Sequence, residues 1–183
     1  MFVYMLSLRR SKTTTKFINR KEKITMKNYN YKETDCGAMG KTFERNLKAC
    51  FNQKEIVSRQ GKIDFRRDRK CYEVKTGAGE LDSLLKSKIK YVCYVPVVNM
   101  EAAVDRQEGF ILEREIFINL LETCGLIREK TATNGSRKVT IQTFWNNSKN
   151  APHSKKKYNL LLSELYDNCI MTLDEYFDCD GKF

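Results

Sequence analysis

In the run Cys71-Tyr72-Glu73-Val74-Lys75 a carboxylate and an ammonium group stand two residues apart. In an extended strand that spacing puts both on one face, roughly 6–7 Å apart, and turns Tyr72 and Val74 toward apolar cover. Upstream, Lys62-Ile63-Asp64-Phe65-Arg66 alternates in the same way, with Ile63 and Phe65 on the buried face and Asp64 opposite. The polar link Asp68-Arg69-Lys70 predicts a hairpin between the two runs, and a tight hairpin brings Asp64 beside Glu73. Two adjacent carboxylates repel unless a cation sits between them. Magnesium suits such a place, because it prefers oxygen ligands, keeps several waters and is usually held by one or two carboxylates plus phosphate oxygens. There it can polarise a phosphate, lower the pKa of a bound water and steady a leaving oxygen. Lys75 could orient or deprotonate that water, or offset charge on a pentavalent phosphate. Arg59, Lys62, Arg66, Arg67, Arg69 and Lys70 are placed to neutralise flanking phosphates.

The plainer reading of Glu73 and Lys75 is an exposed ion pair on a strand, worth ~0.2–1 kcal/mol. That of Asp64 is a solvent-facing strand residue. Aspartate is depleted in strands, so its place between Ile63 and Phe65 asks for a reason.

The elements that must position these groups follow from periodicity. Phe43, Leu47, Cys50 and Phe51 form a helical stripe within Gly37–Asn52. Strand-like runs follow at Lys54–Ser58, Lys62–Arg67 and Cys71–Thr76. The Thr76-Gly77-Ala78-Gly79 break leads to a helix over Leu81–Ile89, with Leu81, Leu84, Leu85 and Ile89 on one face. Tyr91–Val98 is a near-continuous apolar run, as expected of a strand covered on both faces and ended near Pro96. Gly109–Leu112 is one more short strand, and a helix over about Arg114–Thr123 ends at Gly125. Leu126–Thr131 and Arg137–Trp145 alternate around the hairpin signal Asn134-Gly135. A last amphipathic helix begins near Lys157, and a short acidic one spans Leu173–Phe177. The expected fold class is α/β (α+β), a mixed central sheet flanked by helices.

Asp64, eight intervening residues and then Glu73-Val74-Lys75, set on a hairpin, resemble the PD-(D/E)XK nuclease superfamily with its restriction-endonuclease-like fold. Gly40-Lys41-Thr42-Phe43-Glu44-Arg45 looks like that family's first helix, and the whole is similar to archaeal-type Holliday junction resolvases. Ile63 stands where the family's name has proline. The resemblance covers about residues 38–98 and implies a restriction-endonuclease-like core; the order of elements beyond it adds a C-terminal helix–hairpin–helix extension. The resemblance assigns metal binding to Glu44, Asp64, Glu73 and the Val74 carbonyl, and catalysis to Asp64, Glu73 and Lys75, with Mg2+ (or Mn2+) as cofactor. Contacts to nucleic acid then fall on Lys41, Arg45, Lys62, Arg66, Arg67, Arg69 and Lys70; outside that stretch, Lys155, Lys156 and Lys157 read as further backbone contacts or as a solvated helix start. The expected organisation is a flexible basic arm over 1–32, a nuclease core over 33–125 and an α+β extension packed on it over 126–183.

Composition fits a polyanionic partner. The 183 residues carry a net charge of +11, which favours nucleic acid. The charge is uneven: residues 1–32 hold nine basic residues against one acid, and 33–98 hold fourteen against nine. Residues 99–145 hold six against seven, and 146–183 five against six. The first segment reads as a DNA-gripping arm, a solvated tail, or residue upstream of a start at Met26. The helix and hairpin after Arg114 could mimic a winged helix, but their slight acidity favours a structural extension or a dimerisation surface.

Seven scattered cysteines, odd in number and without a CxxC, read as reduced thiols of a cytoplasmic chain. A single histidine, His153, weighs against zinc hydrolases and HNH nucleases. No run is long enough for a membrane span, and Met1–Leu8 precedes its charges, the reverse of a signal peptide. The function expected is therefore a metal-dependent DNA endonuclease or exonuclease, encoded by a phage or mobile element, acting on duplex or branched DNA or on RNA, and a homodimer if its cuts are symmetric. The alternatives are a catalytically inactive nuclease-like nucleic-acid-binding protein and an interaction protein with an incidental basic tail.

Overall fold

The computed structural model describes residues 36–51, 63–86, 88–99, 101–146 and 149–183. The basic arm over 1–32, the strand run Lys54–Ser58, Arg59 and Lys62 lie outside the described residues.

The first helix, α1 (Cys36–Cys50), buries Phe43 and Leu47 completely, with Phe51 following on the same stripe. Strands β1 (Phe65–Arg67) and β2 (Lys70–Thr76) pair antiparallel, Phe65 opposite Tyr72 and Arg67 opposite Lys70. The turn is therefore two residues, not three: Lys70 belongs to the strand, and Asp68 and Arg69 both take positive φ, 45° and 61°. Two left-handed residues in succession match the right-handed twist of the strands they join. Gly77, at φ 50°, ends β2, and its N–H donates to Val95 O at 2.9 Å.

A single turn of helix, α2 (Asp82–Lys86), crosses to β3 (Tyr91–Val95), which lies parallel to β2. Leu81, Leu84 and Ile89 are buried, whereas Leu85 is 43% exposed. Within this one turn Leu84 takes the core side and Leu85, about 100° further round the helix, faces outward, and Ile89 is buried from beyond the helix's end. β3 ends at Val95, just before Pro96, and its last four residues are buried, as a strand covered on both faces requires. Beyond a 3-10 turn (Val104–Arg106), β4 (Phe110–Glu113) returns antiparallel to β3 and leads directly into α3 (Arg114–Thr123).

The hairpin β5 (Ile127–Thr131) and β6 (Arg137–Ile141) follows, closed by a longer loop than the two-residue Asn-Gly turn. Ala132 N–H donates to Ser136 O, Gly135 N–H donates to Ala132 O, and Gly135 takes φ 79°. That pattern is a three-residue loop with the glycine in the left-handed position. The minimal ladder β7 (Trp145–Asn146) and β8 (Ala151–Pro152) precedes α4 (Lys155–Asn168). Ser154 starts α4 earlier than Lys157, because its side chain accepts from Lys157 N–H at 3.3 Å. β9 (Met171–Thr172) pairs with β4, and a reciprocal Thr172–Glu175 cap starts α5 (Leu173–Asp178).

The architecture is a mixed α+β one: a five-stranded sheet in the order β1-β2-β3-β4-β9, with helices on both faces. On one face Phe43 and Leu47 of α1 and Tyr176 and Phe177 of α5 pack on Phe65, Tyr72, Cys93, Val95 and Ile111. On the other, α2, α3 and α4 and the β5–β6 hairpin pack on Val92, Tyr94, Phe110 and Leu112. The parallel register sets Glu73 beside Val92 and Lys75 beside Tyr94, so both project on that second face, opposite α1. The six cysteines whose side chains are described are free thiols. Among the described residues no helix is long and apolar enough to cross a membrane.

Candidate active site

β2 carries the core of the site. Lys75 Nζ lies 2.6 Å from Glu73 Oε1, and the Glu73 side chain is only 3% exposed and that of Lys75 12%. This is a buried ion pair, not the solvated one that strand statistics would suggest. Asp64 sits just before β1, its N–H donating to Tyr72 O at 3.0 Å. Its Oδ2 accepts from Val74 N–H at 2.7 Å. The carboxylate thus satisfies a backbone N–H of β2 from beside the edge strand β1. Cys93 feels it there: burial and the Asp64 charge together raise its thiol to about 12.

Burial pushes the Asp64 carboxyl from 3.8 up to about 6, against the opposing Val74 N–H bond. The nearby carboxylates of Glu44 and Glu73 push in the same direction as burial, and Lys75 opposes them. Asp64, Glu73 and Lys75 therefore share one electrostatic environment. Glu44 bears on it through its field. It stands on α1, across the sheet from Glu73, and its Oε1 is bound by Lys48 Nζ at 2.5 Å. Close approach of α1 to β2 is possible because residue 40 is glycine: a Cβ there would lie 2.7 Å from Thr76 Oγ1.

The expected nucleic-acid contacts divide. Lys41 and Arg45 on α1, Arg66 and Arg69 on the hairpin, and Lys155, Lys156 and Lys157 in the first turn of α4 are all exposed. Arg67 and Lys70 are instead engaged by the C-terminal segment. Arg67 forms an ion pair with the Asp180 carboxylate, donates from Nε to Asp180 O at 2.8 Å, and lies over the Phe51 ring. Lys70 Nζ donates to Phe183 O at 2.6 Å and sits 4.0 Å from the centre of its ring. Gly181, at φ 74°, packs so closely on Arg67 and Tyr176 that a Cβ would collide with both. Glu80 turns away from the site and pairs with Lys138 at 2.6 Å.

One site residue escaped the sequence reading. Ser83 Oγ donates to Glu73 Oε1 at 2.5 Å and accepts from Lys75 Nζ at 3.2 Å. A serine eight residues past Lys75 matches no spacing rule. It arrives because the Gly77–Gly79 turn folds α2 back over the face that carries Glu73.

Among the described residues Glu73 Oε2 is buried without a hydrogen-bond partner. An orphaned acceptor near a second carboxylate whose ionisation burial opposes is a donor set short of a cation, and its all-oxygen chemistry fits a hard divalent ion. Among the described residues no group of three or more His, Cys, Asp or Glu side chains is gathered as a metal shell. Two carboxylates, with water and phosphate oxygens completing the sphere, are what magnesium commonly uses. No family model, no curated protein and no solved structure matches this chain.

Proposed function

We propose that the chain is a metal-dependent nuclease with a restriction-endonuclease-like core, extended at its C-terminal side by the helix, hairpin and helix that follow β4. The observation that carries this reading is the convergence of Asp64, Glu73 and Lys75 on one hairpin, with a buried Glu73 oxygen left unpartnered among the described residues. Asp64 and Glu73 Oε2 would hold Mg2+ or Mn2+, and the Val74 carbonyl and Glu44 would serve as further or water-bridged ligands. A bound divalent ion supplies Lewis-acid polarisation of the phosphate and a more acidic water. Lys75 Nζ, already ion-paired with Glu73 Oε1, would orient the attacking water and balance charge on the in-line transition state. The exposed cations Lys41, Arg45, Arg66 and Arg69 would neutralise flanking phosphates. The partner is DNA, duplex or branched, and the setting a cytoplasm.

One observation favours the second reading, a nuclease-like fold that binds without cutting: Lys75 and Ser83 already satisfy Glu73 Oε1, as they would in a purely structural buried pair. Incubation with plasmid, linear, single-stranded and four-way-junction DNA, in magnesium, manganese or chelator, separates the two. Cleavage that requires the ion and disappears in Glu73→Ala while binding persists supports the nuclease. No nicking of any substrate under any condition moves the function to the binder.

A further inference from the structure

Ser83 closes a triangle of polar atoms: Oγ to Glu73 Oε1 at 2.5 Å, Oγ to Lys75 Nζ at 3.2 Å, and Nζ to Oε1 at 2.6 Å. All of this engages one carboxylate oxygen. The other, Oε2, is buried and unpartnered among the described residues. A carboxylate held at a single oxygen by the Ser83 hydroxyl and the Lys75 ammonium group cannot turn about its own axis without losing both contacts, so the direction of its other oxygen is set by that hold.

Ser83 is in turn held from outside its own helix. At five residues, α2 is far below the length at which a helix sustains itself. The segment on its N-terminal side is clamped by β6: Ile141 N–H donates to Gly79 O at 2.9 Å, Leu81 N–H donates to Val139 O at 2.8 Å, and Val139 N–H donates to Asp82 Oδ2 at 3.1 Å. Lys138 adds its ion pair with Glu80 at 2.6 Å. Residues 79–82 thus form a third strand-like edge on the β5–β6 hairpin, and Ser83 is the next residue in line.

We infer that Ser83 is a positioning residue for the divalent-ion site, registered by the β5–β6 hairpin, which fixes Glu73 through Oε1 so that Oε2 is presented to the ion. This rests on the nuclease reading above. It gives the C-terminal half of the chain a role at the site: the hairpin sets where Ser83 stands, and Ser83 sets where Glu73 points. Groups that orient a metal-bound carboxylate commonly change affinity by ~10–100-fold when removed.

Mn2+ binding to the full-length protein, followed by electron paramagnetic resonance of the free ion, tests it. Ser83→Ala should weaken Mn2+ binding by ~10–100-fold, Ser83→Thr, which keeps the hydroxyl, should restore it, and the thermal midpoint of the metal-free protein should move little by comparison. Asp82→Ala, which removes one hairpin clamp, should weaken binding in the same direction by less. If wild type binds Mn2+ and Ser83→Ala binds it equally well, this inference fails while the nuclease reading stands. Should wild type bind no Mn2+, the nuclease reading falls and takes this inference with it. Unchanged affinity in Asp82→Ala alone removes the hairpin from the account. If Ser83→Ala does not fold, Ser83→Cys, similar in shape but a weaker hydrogen-bonding group, carries the same comparison.

Discussion

The two ends of the β1–β2 hairpin use the same residue types to different effect. At the tip, Arg67 pairs with Asp180, whose side chain is 53% exposed, and Lys70 pairs with Asp68 at 3.5 Å. At the base, a few residues along the same strands, Lys75 pairs with Glu73 at 3% exposure. In the tip pairs the carboxylates are about half exposed, although the Arg67 and Lys70 side chains are 27% and 18% exposed, so the attraction is screened from the acid's side and such contacts are worth ~0–1 kcal/mol. The base pair has given up its hydration, so neither partner can be removed without stranding the other. Burial, not charge pattern, separates the end that docks the C-terminal segment from the end suited to chemistry.

The sharpest break in this comparison is Lys75→Met. It leaves the Glu73 carboxylate buried beside Ser83 alone, and urea unfolding at pH 8 should show a loss of ~3–5 kcal/mol, with much of it recovered in the double variant Lys75→Met/Glu73→Gln. Near-wild-type stability of the single variant would mean the base is as solvated as the tip. Next in size is the response to Mn2+. At a hundredfold excess over the dissociation constant, binding to the folded state adds ~2.7 kcal/mol. That gain should appear in wild type and in Arg67→Ala but vanish in Glu73→Gln, as a thermal-shift titration would reveal.

Asp64 offers a pH signature. Its folded carboxyl holds a proton up to about 6, against 3.8 ordinarily. Between those values the folded state binds more protons than the unfolded chain, so stability from this group falls as pH rises from about 4 to about 6 and is level above. Asp64→Asn keeps an acceptor for Val74 N–H, should flatten that slope, and should make the metal-free protein more stable at pH 7 by roughly 2 kcal/mol. An unaltered slope in urea midpoints across this range would refute the assignment. The smallest effect belongs to the tip, where a double-mutant cycle of Arg67→Ala and Asp180→Ala should give a coupling of only ~0.2–1 kcal/mol, diminished by salt.

Local chemistry makes much of this legible in the sequence. Phe43 and Leu47 marked the buried stripe of α1, and YVCYVPVV marked a strand covered on both sides. The helix at Arg114–Thr123 has the bounds its apolar period predicts, and the Asp64/Glu73/Lys75 alternation put three chemical groups on one hairpin. Each of these depends on neighbours a few residues apart, where period and turn chemistry dominate. Leu85 shows the limit: its spacing fits a stripe, but in the single turn that leads to β3 it lies about 100° round the helix from Leu84 and faces outward.

What the residues determined alone was the periodicity of the elements and the identity of the groups brought to the hairpin, because backbone geometry and the apolar–polar alternation act over short spans. Tertiary structure decided the rest. It seated β9 on the edge of β4, tied Arg67 and Lys70 to the C-terminal segment, set Glu44 across the sheet from Glu73, and carried Ser83 onto the buried pair. Those contacts join positions far apart in the chain, and no local preference encodes which of many polar side chains will be buried against which.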